Sequence, residues 1–501
     1  MSDQDIKEAE NDAIMLDLLL DEYKDFQECD WSPDCDSDEE ESFIIRALLE
    51  EARKKKDEEL QNMYADRDRK AKKVHRSPKK RLRVEGKSPE ESVWWIRYLS
   101  RSPESFSTHD AKRFRRRFRM TPRMFHDLVG ICKEEKWFPK RESKDCTGKQ
   151  ACRLEIMLAC ALAYGGGGVL TSYMSDLTNV SEESIRSFIV NEFAQVGIKH
   201  MVPKWVRMPT SNQELEKLRV PFDLAGLHGI VGSTDATHVH HWNVPFSLKN
   251  NSTGRKQTTT VSFNVVVSHM RKVLSCSPVA LGTTPDIALA RQDPFLRGLS
   301  DMTIFKEATY EHHYNGEIAT RKNFCVLGDG GYPGLKGIIY PMNLPENPEE
   351  LLFSKFIEMM RKDVECFFGV FKKIFGIFKY GVRSPNLGFV NDLFHSFTAI
   401  YNYMHEHPDN YFEVKGKLFN PNETKMKALL DNVDIYNPKY DQTRTSTPKE
   451  TRASFRTNFF YHLREGNVLW PYRAVAENKE EDLCYDIELE VCDDLRESLD
   501  E

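Results

Sequence analysis

The hydrophobic pattern divides the middle of the chain into a helical stretch and a stretch in which strands alternate with helices. Between 151 and 196, apolar residues recur at helical spacing in three runs, with four glycines (165–168) after the first and Ser181 placed to cap the third. From about 229, strands are predicted at 230–239, 258–268, 273–281 and 324–327. Helices are predicted at 285–296, about 350–376 and 389–405. This order predicts an α/β domain with helices packed on a mixed sheet.

The ends of the chain lack this periodicity and differ sharply in charge. Residues 1–42 carry 17 Asp or Glu against 2 Lys, whereas 67–83 carry ten Lys or Arg against one Asp. The net charge of −7 over 501 residues conceals this segregation. We therefore predict a disordered, acidic and then basic tail (1–90, with a helix at about 43–64), a helical domain (91–225), the α/β domain (226–410) and a mostly disordered extension (411–501).

The basic block indicates where the protein acts and which partner it has. Residues 70–83 form a run typical of nuclear import or nucleic-acid contact, so we predict a nuclear protein that binds DNA. No run of about 18 apolar residues predicts a membrane span, and the N-terminus lacks the order of a secretory signal. The eleven scattered cysteines are then expected to be reduced thiols, and their spacing does not favour structural zinc.

The helical stretch at 151–196 offers one route to DNA recognition. Its order of helix, turn and helix is one that can place a recognition helix in a major groove. The third helix, however, carries more acidic than basic residues, which favours a purely structural bundle. Both interpretations stay open at this point.

Three carboxylate side chains are predicted to lie close together in the folded protein. Asp235 and Asp329 follow mainly apolar runs, and Glu365 lies at the edge of the apolar stripe of the 350–376 helix. Carboxylates that converge in this way can hold two Mg²⁺ or Mn²⁺ ions, which catalyse phosphodiester chemistry when they lie about 3.5–4 Å apart. The competing interpretations, turn-forming aspartates and a surface glutamate, are common for each residue alone.

Other polar residues flank this set. His238 is placed to support a ligand or contact phosphate, and Arg361 to orient Glu365 or bind phosphate. Asp286 is a fourth carboxylate, for which a helix N-cap is the preferred interpretation. Candidate contacts to the DNA backbone are Lys372 together with Arg255 and Lys256, the last two being explained about equally well as solvated surface charge.

Five segments in order resemble PIF/Harbinger-type transposases, the plant-transposon-protein group of DDE endonucleases. They are GSTDATH (232–238), GRK with VSFNV (254–256 and 261–265), GTTPDI (282–287), LGDGGYP (327–333) and DVECFFGV (363–370). Thr283 stands where the family pattern has serine. The helical region from Ser92 to about 196 also looks like the N-terminal part of the family. Each motif alone is unspecific, whereas five in this order, within a resemblance over roughly 92–410, are specific.

The resemblance implies a ribonuclease-H-like core in which Asp235, Asp329 and Glu365 ligate two Mg²⁺ or Mn²⁺ ions. It implies a transposase that nicks transposon ends and joins the freed 3′-hydroxyl to target DNA, with a Myb-like protein as partner. Two alternatives stay open: a host-recruited nuclear DNA-binding protein without transposition, and a nuclease without strand transfer. Association into a homo-oligomer is also left open.

Overall fold

The computed structural model describes residues 87–144, 148, 150–254, 257–314, 317–342, 344–346, 348–409, 416–419, 455–456, 458–459, 462 and 470–473. The acidic and basic tail up to residue 86, the helix expected at about 43–64, Arg255, Lys256 and most of the C-terminal extension lie outside these residues. All described residues belong to one unit that begins at Lys87. None of the helices in these ranges is long and apolar enough to cross a membrane.

Helices fill the described chain up to residue 224. They are α1 (Thr108–Phe118), α2 (Pro122–Glu134), α3 (Leu154–Gly167), α4 (Thr171–Thr178), α5 (Glu182–Ser187), α6 (Ala194–Val196), α7 (Val202–Trp205) and α8 (Asn212–Leu224). The three helices predicted between 151 and 196 are confirmed. Gly168 ends α3 with a φ of 66°, and the Ser181 hydroxyl accepts the amide of Ser184 at the start of α5. The third helix is longer than predicted, because π-helical turns join α5, α6 and α7 up to Trp205.

The second half is built on a mixed sheet. The strands are β1 (Ile230–His240), β2 (Thr260–Val267), β3 (Val273–Cys276), β4 (Ala280–Leu281), β5 (Tyr310–Tyr314), β6 (Glu317–Arg321), β7 (Cys325–Leu327), β8 (Ile338–Ile339), β9 (Gly416–Phe419) and β10 (Trp470–Arg473). The main sheet has the order β3-β2-β1-β7-β8, with β4 also paired to β2. β1, β2 and β3 run antiparallel, whereas β1, β7 and β8 run parallel. The predicted α/β class with a mixed sheet is confirmed.

Helices pack against both faces of this sheet. The helices that follow β1 along the chain are α9 (Lys249–Ser252), α10 (Asp286–Gln292), α11 (Pro294–Ser300), α12 (Pro348–Met360), α13 (Lys362–Ile374), α14 (Ile377–Tyr380) and α15 (Leu387–Glu406). Val265 of β2 belongs to a core cluster with α1–α3 and α13–α15, and Val266 to a second cluster with α8, α11 and α12. Successive strand residues point to opposite faces, so the sheet is buried between two apolar layers.

Two predicted helices are each divided in the structure. The helix expected at 285–296 is α10 and α11, because the Asp293 carboxylate accepts the amides of Phe295 and Leu296 and starts a new helix. The helix expected at 350–376 is α12 and α13, which meet at Arg361. The spacing of apolar residues in 350–376 predicts a single helix, because no proline or glycine near Arg361 marks the division. The strand expected at 273–281 is likewise two, β3 and β4.

The cysteines that the structure describes are free thiols, most of them buried. Burial raises the pKa of Cys152 to about 11 and that of Cys325 to about 12. Such thiols carry little thiolate at neutral pH, so these two side chains act as small apolar groups of the core.

Candidate active site

Parallel pairing of β1 with β7 brings two of the predicted carboxylates close together. Ser233 pairs with Leu327, and Asp235 and Asp329 each follow two residues later. Asp235 lies within β1, and Asp329 lies just beyond the end of β7. The negative charge of Asp329 helps to raise the pKa of Asp235, so the site starts from two neighbouring aspartates.

Asp235 lies in an environment that opposes its negative charge. Its side chain is 22% exposed. Burial raises the pKa of Asp235 to about 7, and the negative charges of Asp329 and Glu365 act in the same direction. The amide of Ala236, which donates to Asp235 Oδ1 at 2.8 Å, and the Arg361 guanidinium hold the pKa down in part. Asp329 and Glu365 thus lie close enough to Asp235 for their negative charges to affect its pKa.

Arg361 joins the helix that carries Glu365 to the strand that carries Asp235. Its Nη1 lies 2.8 Å from Glu365 Oε1 and 3.8 Å from Asp235 Oδ2, and its Nη2 lies 3.4 Å from Glu358 Oε2. The Arg361 side chain is 12% exposed, against 45% for Glu365. The contact with Glu365 is the one that the four-residue helical spacing predicts. The contact with Asp235 is long-range and fixes how α13 faces β1.

The fit of this arrangement to a metal ion is partial. Within the described part of the chain, no group of three His, Cys, Asp or Glu side chains is arranged to hold one ion. The guanidinium of Arg361 instead lies between Asp235 and Glu365. Carboxylate oxygens are nevertheless the ligands that Mg²⁺ prefers, and the repulsion that raises the pKa of Asp235 is one that a divalent cation relieves. The carboxylate oxygens are therefore suitable ligands for Mg²⁺, and in this structure the guanidinium of Arg361 lies between two of these carboxylates.

Asp286 belongs to this site and is not a helix cap. The N-cap position of α10 is Pro285, so Asp286 is the first residue inside the helix, and its side chain caps nothing. The N-cap interpretation is therefore wrong. Burial raises the pKa of Asp286, the charge of Asp329 raises it further, and His238 lowers it. Asp286 is thus a fourth carboxylate near Asp329.

Two of the four other residues predicted to contact phosphate or the DNA backbone, His238 and Lys372, lie in the described part of the chain. The exposed His238 has its Nδ1 2.9 Å from Ser262 Oγ, and its backbone oxygen accepts from Lys372 Nζ at 2.7 Å. Burial lowers the pKa of Lys372 to about 8. Lys372 therefore lies beside β1, and its ammonium group donates a hydrogen bond to the backbone of that strand. Arg255 and Lys256 lie outside the described residues.

A buried network beneath the aspartates was not predicted. Asn264 Nδ2 donates to Thr234 Oγ1 at 3.0 Å, and the Tyr332 hydroxyl donates to Asn264 Oδ1 at 3.2 Å. Thr234 precedes Asp235, and Tyr332 follows Asp329 by three residues, so one amide ties the two carboxylate-bearing segments together. The sequence feature that could have predicted this network is Asn264, a polar residue inside the mainly apolar run 260–267. A buried polar residue in such a run needs hydrogen-bond partners.

Glycine is required next to Asp329. The amide of Gly331 donates to Asp329 Oδ1 at 2.8 Å. A Cβ at Gly331 would lie 2.9 Å from the same oxygen, and a Cβ at Gly328 would lie 2.7 Å from Ile338 Cγ2. The Gly-Asp-Gly-Gly sequence therefore allows the carboxylate to fold back onto its own turn.

The part of the chain that contains this site is similar to a known protein family. Residues 203–411 match the family model described as "Plant transposon protein", a segment that includes Asp235, Asp329 and Glu365. The match spans less than half of the chain and marks the protein as transposon-related. No curated protein and no solved structure matches the chain.

Proposed function

We propose that this transposon-related protein is a metal-dependent DNA endonuclease and transposase of the PIF/Harbinger type. The observation that carries the proposal is the placement of Asp235 within β1 and of Asp329 just after the adjacent parallel strand β7, with Glu365 tied to Asp235 through Arg361. The antiparallel β1–β3 beside the parallel β7 and β8 supports a ribonuclease-H-like core. The five ordered motifs support the same assignment.

In this proposal, Asp235, Asp329 and Glu365 hold two Mg²⁺ or Mn²⁺ ions, with Asp286 as an auxiliary carboxylate. Such ions activate the water or 3′-hydroxyl that attacks phosphorus and stabilise the leaving 3′-oxygen. Movement of Arg361 away from Asp235 and Glu365 would release both carboxylates for this role. The released guanidinium is suited to bind a DNA phosphate, since its fork of N–H donors matches phosphate oxygens.

The substrates in this proposal are transposon ends and target DNA in the nucleus. Arg255, Lys256 and Lys372 are proposed contacts to the DNA backbone, and His238 is proposed to contact phosphate. A Myb-like protein is proposed to help select the transposon ends. Association of identical copies would place two such sites on the two ends of one element.

A second function uses the same fold without cleavage. The ion pairs of Arg361 with Asp235 and Glu365 offset part of the negative charge of the site with a side chain of the protein itself, which favours a host-recruited DNA-binding protein in which the carboxylates are structural. The two functions differ in whether folded protein cuts DNA when Mg²⁺ is supplied.

The deciding experiment is nicking of DNA that carries the flanking repeats of the element, with Mg²⁺ or Mn²⁺ and the full chain. Asp235→Ala, Asp329→Ala and Glu365→Ala are compared with Glu358→Ala, which also removes a partner of Arg361 but lies outside the triad. We expect cleavage by the wild type and Glu358→Ala only, with all variants folded. Triad variants that still cleave would remove the proposed site. No wild-type cleavage, even with a Myb-like protein supplied, would favour the DNA-binding function.

A further inference from the structure

Exposed aromatic side chains lie at the far end of the strand that carries Asp235. Trp242 follows β1 and is 53% exposed, and Tyr380, which ends α14, is 64% exposed. His240, the last residue of β1, stacks on Trp242 with ring centres 5.6 Å apart and planes at 14°. We call His240, Trp242 and Tyr380 the Trp242 platform.

The indole of the platform is fixed in place although it is exposed. Trp242 Nε1 donates to the backbone oxygen of Tyr380 at 2.7 Å, and the Trp242 amide donates to Val382 O at 3.1 Å. Gly381 has a φ of 104°, and a Cβ there would lie 2.3 Å from Trp242 Nε1. Single exposed apolar side chains are ordinary on protein surfaces. The indole of Trp242 is therefore held in one orientation while more than half of its surface stays exposed. Because the side chain is already ordered in the folded protein, a ligand that stacks on it does not have to restrict its motion on binding.

Positively charged side chains adjoin the platform. Lys379 Nζ lies 5.6 Å from the centre of the Tyr380 ring, and Arg383 follows Val382 with its side chain exposed. Exposed aromatic rings within a positive surface are the combination that binds single-stranded nucleic acid, by stacking on bases and attracting phosphates.

The platform lies within a few nucleotides' length of the candidate active site. His240 follows Asp235 by five residues of β1, which is about 17 Å at the usual rise per residue. This is roughly five nucleotide steps at about 3.4 Å each along one strand of a duplex.

We propose that the Trp242 platform stacks an unpaired base of the DNA strand that enters the candidate active site. The identity of the ligand rests on the proposed function, but the stacking itself requires no cleavage. Since every base has an aromatic face, such stacking tolerates any sequence. It would hold open the strand end that is being cut or joined.

The test measures binding by the full chain in EDTA, where cleavage does not occur. The ligands are fluorescent oligothymidylate and a mixed-sequence duplex of the same length. Trp242→Leu keeps an apolar side chain but removes the ring, and Trp242→Phe keeps a ring. Ile318→Ala, which removes another exposed apolar side chain from β6, is the control.

We expect Trp242→Leu to weaken single-strand binding about tenfold, as the loss of one stacked base does, and to change duplex binding by less than about twofold. Trp242→Phe should keep most of the affinity, and Ile318→Ala all of it. Equal single-strand affinity for Trp242→Leu and the wild type would overturn the proposal, and so would an equal loss for strand and duplex. The first of these results would indicate a protein-binding surface instead.

A second variant covers the case in which Trp242→Leu does not fold, as judged by thermal unfolding. Tyr380→Ala removes the exposed ring but keeps the backbone oxygen that binds the indole. It should also weaken single-strand binding selectively, and unchanged binding would overturn the proposal. A protein that binds single strands through Trp242 but cuts no DNA would refute the endonuclease and leave the platform intact.

Discussion

Tyr332 donates its hydroxyl to Asn264 Oδ1 at 3.2 Å, in the interior directly beneath the two candidate aspartates. Tyr332 is fully buried, as is Asn264. The same amide donates to Thr234 Oγ1, next to Asp235. Asn264 thus links β1 at Thr234, next to Asp235, with the segment after β7 that contains Asp329 and Tyr332.

This relationship predicts that Asn264→Ala destabilises the protein more than Tyr332→Phe does. Tyr332→Phe removes one hydrogen bond and should lower the free energy of unfolding by about 1 kcal/mol. Asn264→Ala leaves the buried Tyr332 hydroxyl without this partner and opens a small cavity, which should cost about 2–4 kcal/mol. Urea unfolding of the full chain measures both values. An Asn264→Ala effect no greater than that of Tyr332→Phe would show that the network does not hold the site together.

Much of the fold follows from local patterns. The strand pattern at 258–268 and the capping signal at Ser181 correctly predict β2 and the start of α5. The missed hairpin of β5 and β6 pairs residues such as Tyr310 and Arg321, in a segment where polar and apolar residues do not alternate clearly. Its pairing depends on contacts made after folding, which single-sequence periodicity does not record.

The site was predictable where its residues lie in recognisable strand or helix positions, and not where they act across the fold. Asp235 and Asp329 are visible because each follows a buried apolar run. The same short-range reasoning makes Asp286 a helix cap, because nothing in the sequence near Pro285 reveals its proximity to Asp329. The contact of Arg361 with Asp235 joins residues more than a hundred positions apart, and only the packing of α13 on the sheet creates it.

Gly331→Ala should abolish cleavage while leaving the protein folded. The new Cβ would lie 2.9 Å from Asp329 Oδ1, so the carboxylate must leave the Gly331 amide that now orients it. Since a displacement of about 1 Å at a reacting centre costs on the order of a hundredfold in rate, DNA nicking should fall by at least that factor. Thermal unfolding and Mg²⁺-dependent nicking are measured on the same preparation.

The matched control for this substitution is Gly369→Ala, in the helix that carries Glu365. A Cβ there meets no atom within 4 Å. Alanine in place of glycine in a helix interior stabilises by up to about 1 kcal/mol. We expect normal nicking and a slightly higher unfolding temperature. Full activity in Gly331→Ala would mean that the Asp329 carboxylate does not need its present orientation.

Asp223→Asn should change the pH dependence of stability. Burial raises the pKa of Asp223 to about 7, because the ion pair with Arg219 at 2.7 Å and a hydrogen bond from the Gly229 amide only partly oppose it. The folded state therefore binds this proton more tightly than the unfolded state, whose pKa is near 3.8. The contribution of Asp223 to the free energy of unfolding is most favourable below about pH 4 and decreases as the pH rises to about 7.

The measurement is urea unfolding of Asp223→Asn and the wild type from pH 5 to pH 8. The stability of the variant relative to the wild type should rise with pH, by about 2–3 kcal/mol between pH 5 and pH 7, and change little above pH 7. Glu214→Gln, on the same helix, gives the opposite sign, because hydrogen bonds from Arg207 lower the pKa of Glu214 to about 2. The stability of Glu214→Gln relative to the wild type should therefore fall as the pH rises from about 2 to about 5, and it should be nearly constant above pH 5, so this variant is measured from pH 2 upward. A pH-independent difference for Asp223→Asn would contradict the burial argument.

Arg361→Gln should make the protein more responsive to Mg²⁺. The guanidinium offsets part of the negative charge of Asp235 and Glu365, so its removal increases the repulsion between the carboxylates and lowers the unfolding temperature in EDTA. A divalent cation that binds the folded state then restores stability by mass action. The rise in unfolding temperature on adding Mg²⁺ should therefore be larger in Arg361→Gln than in the wild type.

Arg456→Gln is the control for general loss of a buried ion pair. Arg456 pairs with Glu350 at the start of α12, and its side chain is 13% exposed, nearly the same as that of Arg361. Its removal should lower the unfolding temperature in EDTA without increasing the effect of Mg²⁺, because no carboxylate of the candidate site loses its counter-ion. Equal Mg²⁺ effects in Arg361→Gln, Arg456→Gln and the wild type would show that the carboxylates around Arg361 do not bind the ion. Arg361 would then be a structural cation, and the DNA-binding function without cleavage would be favoured.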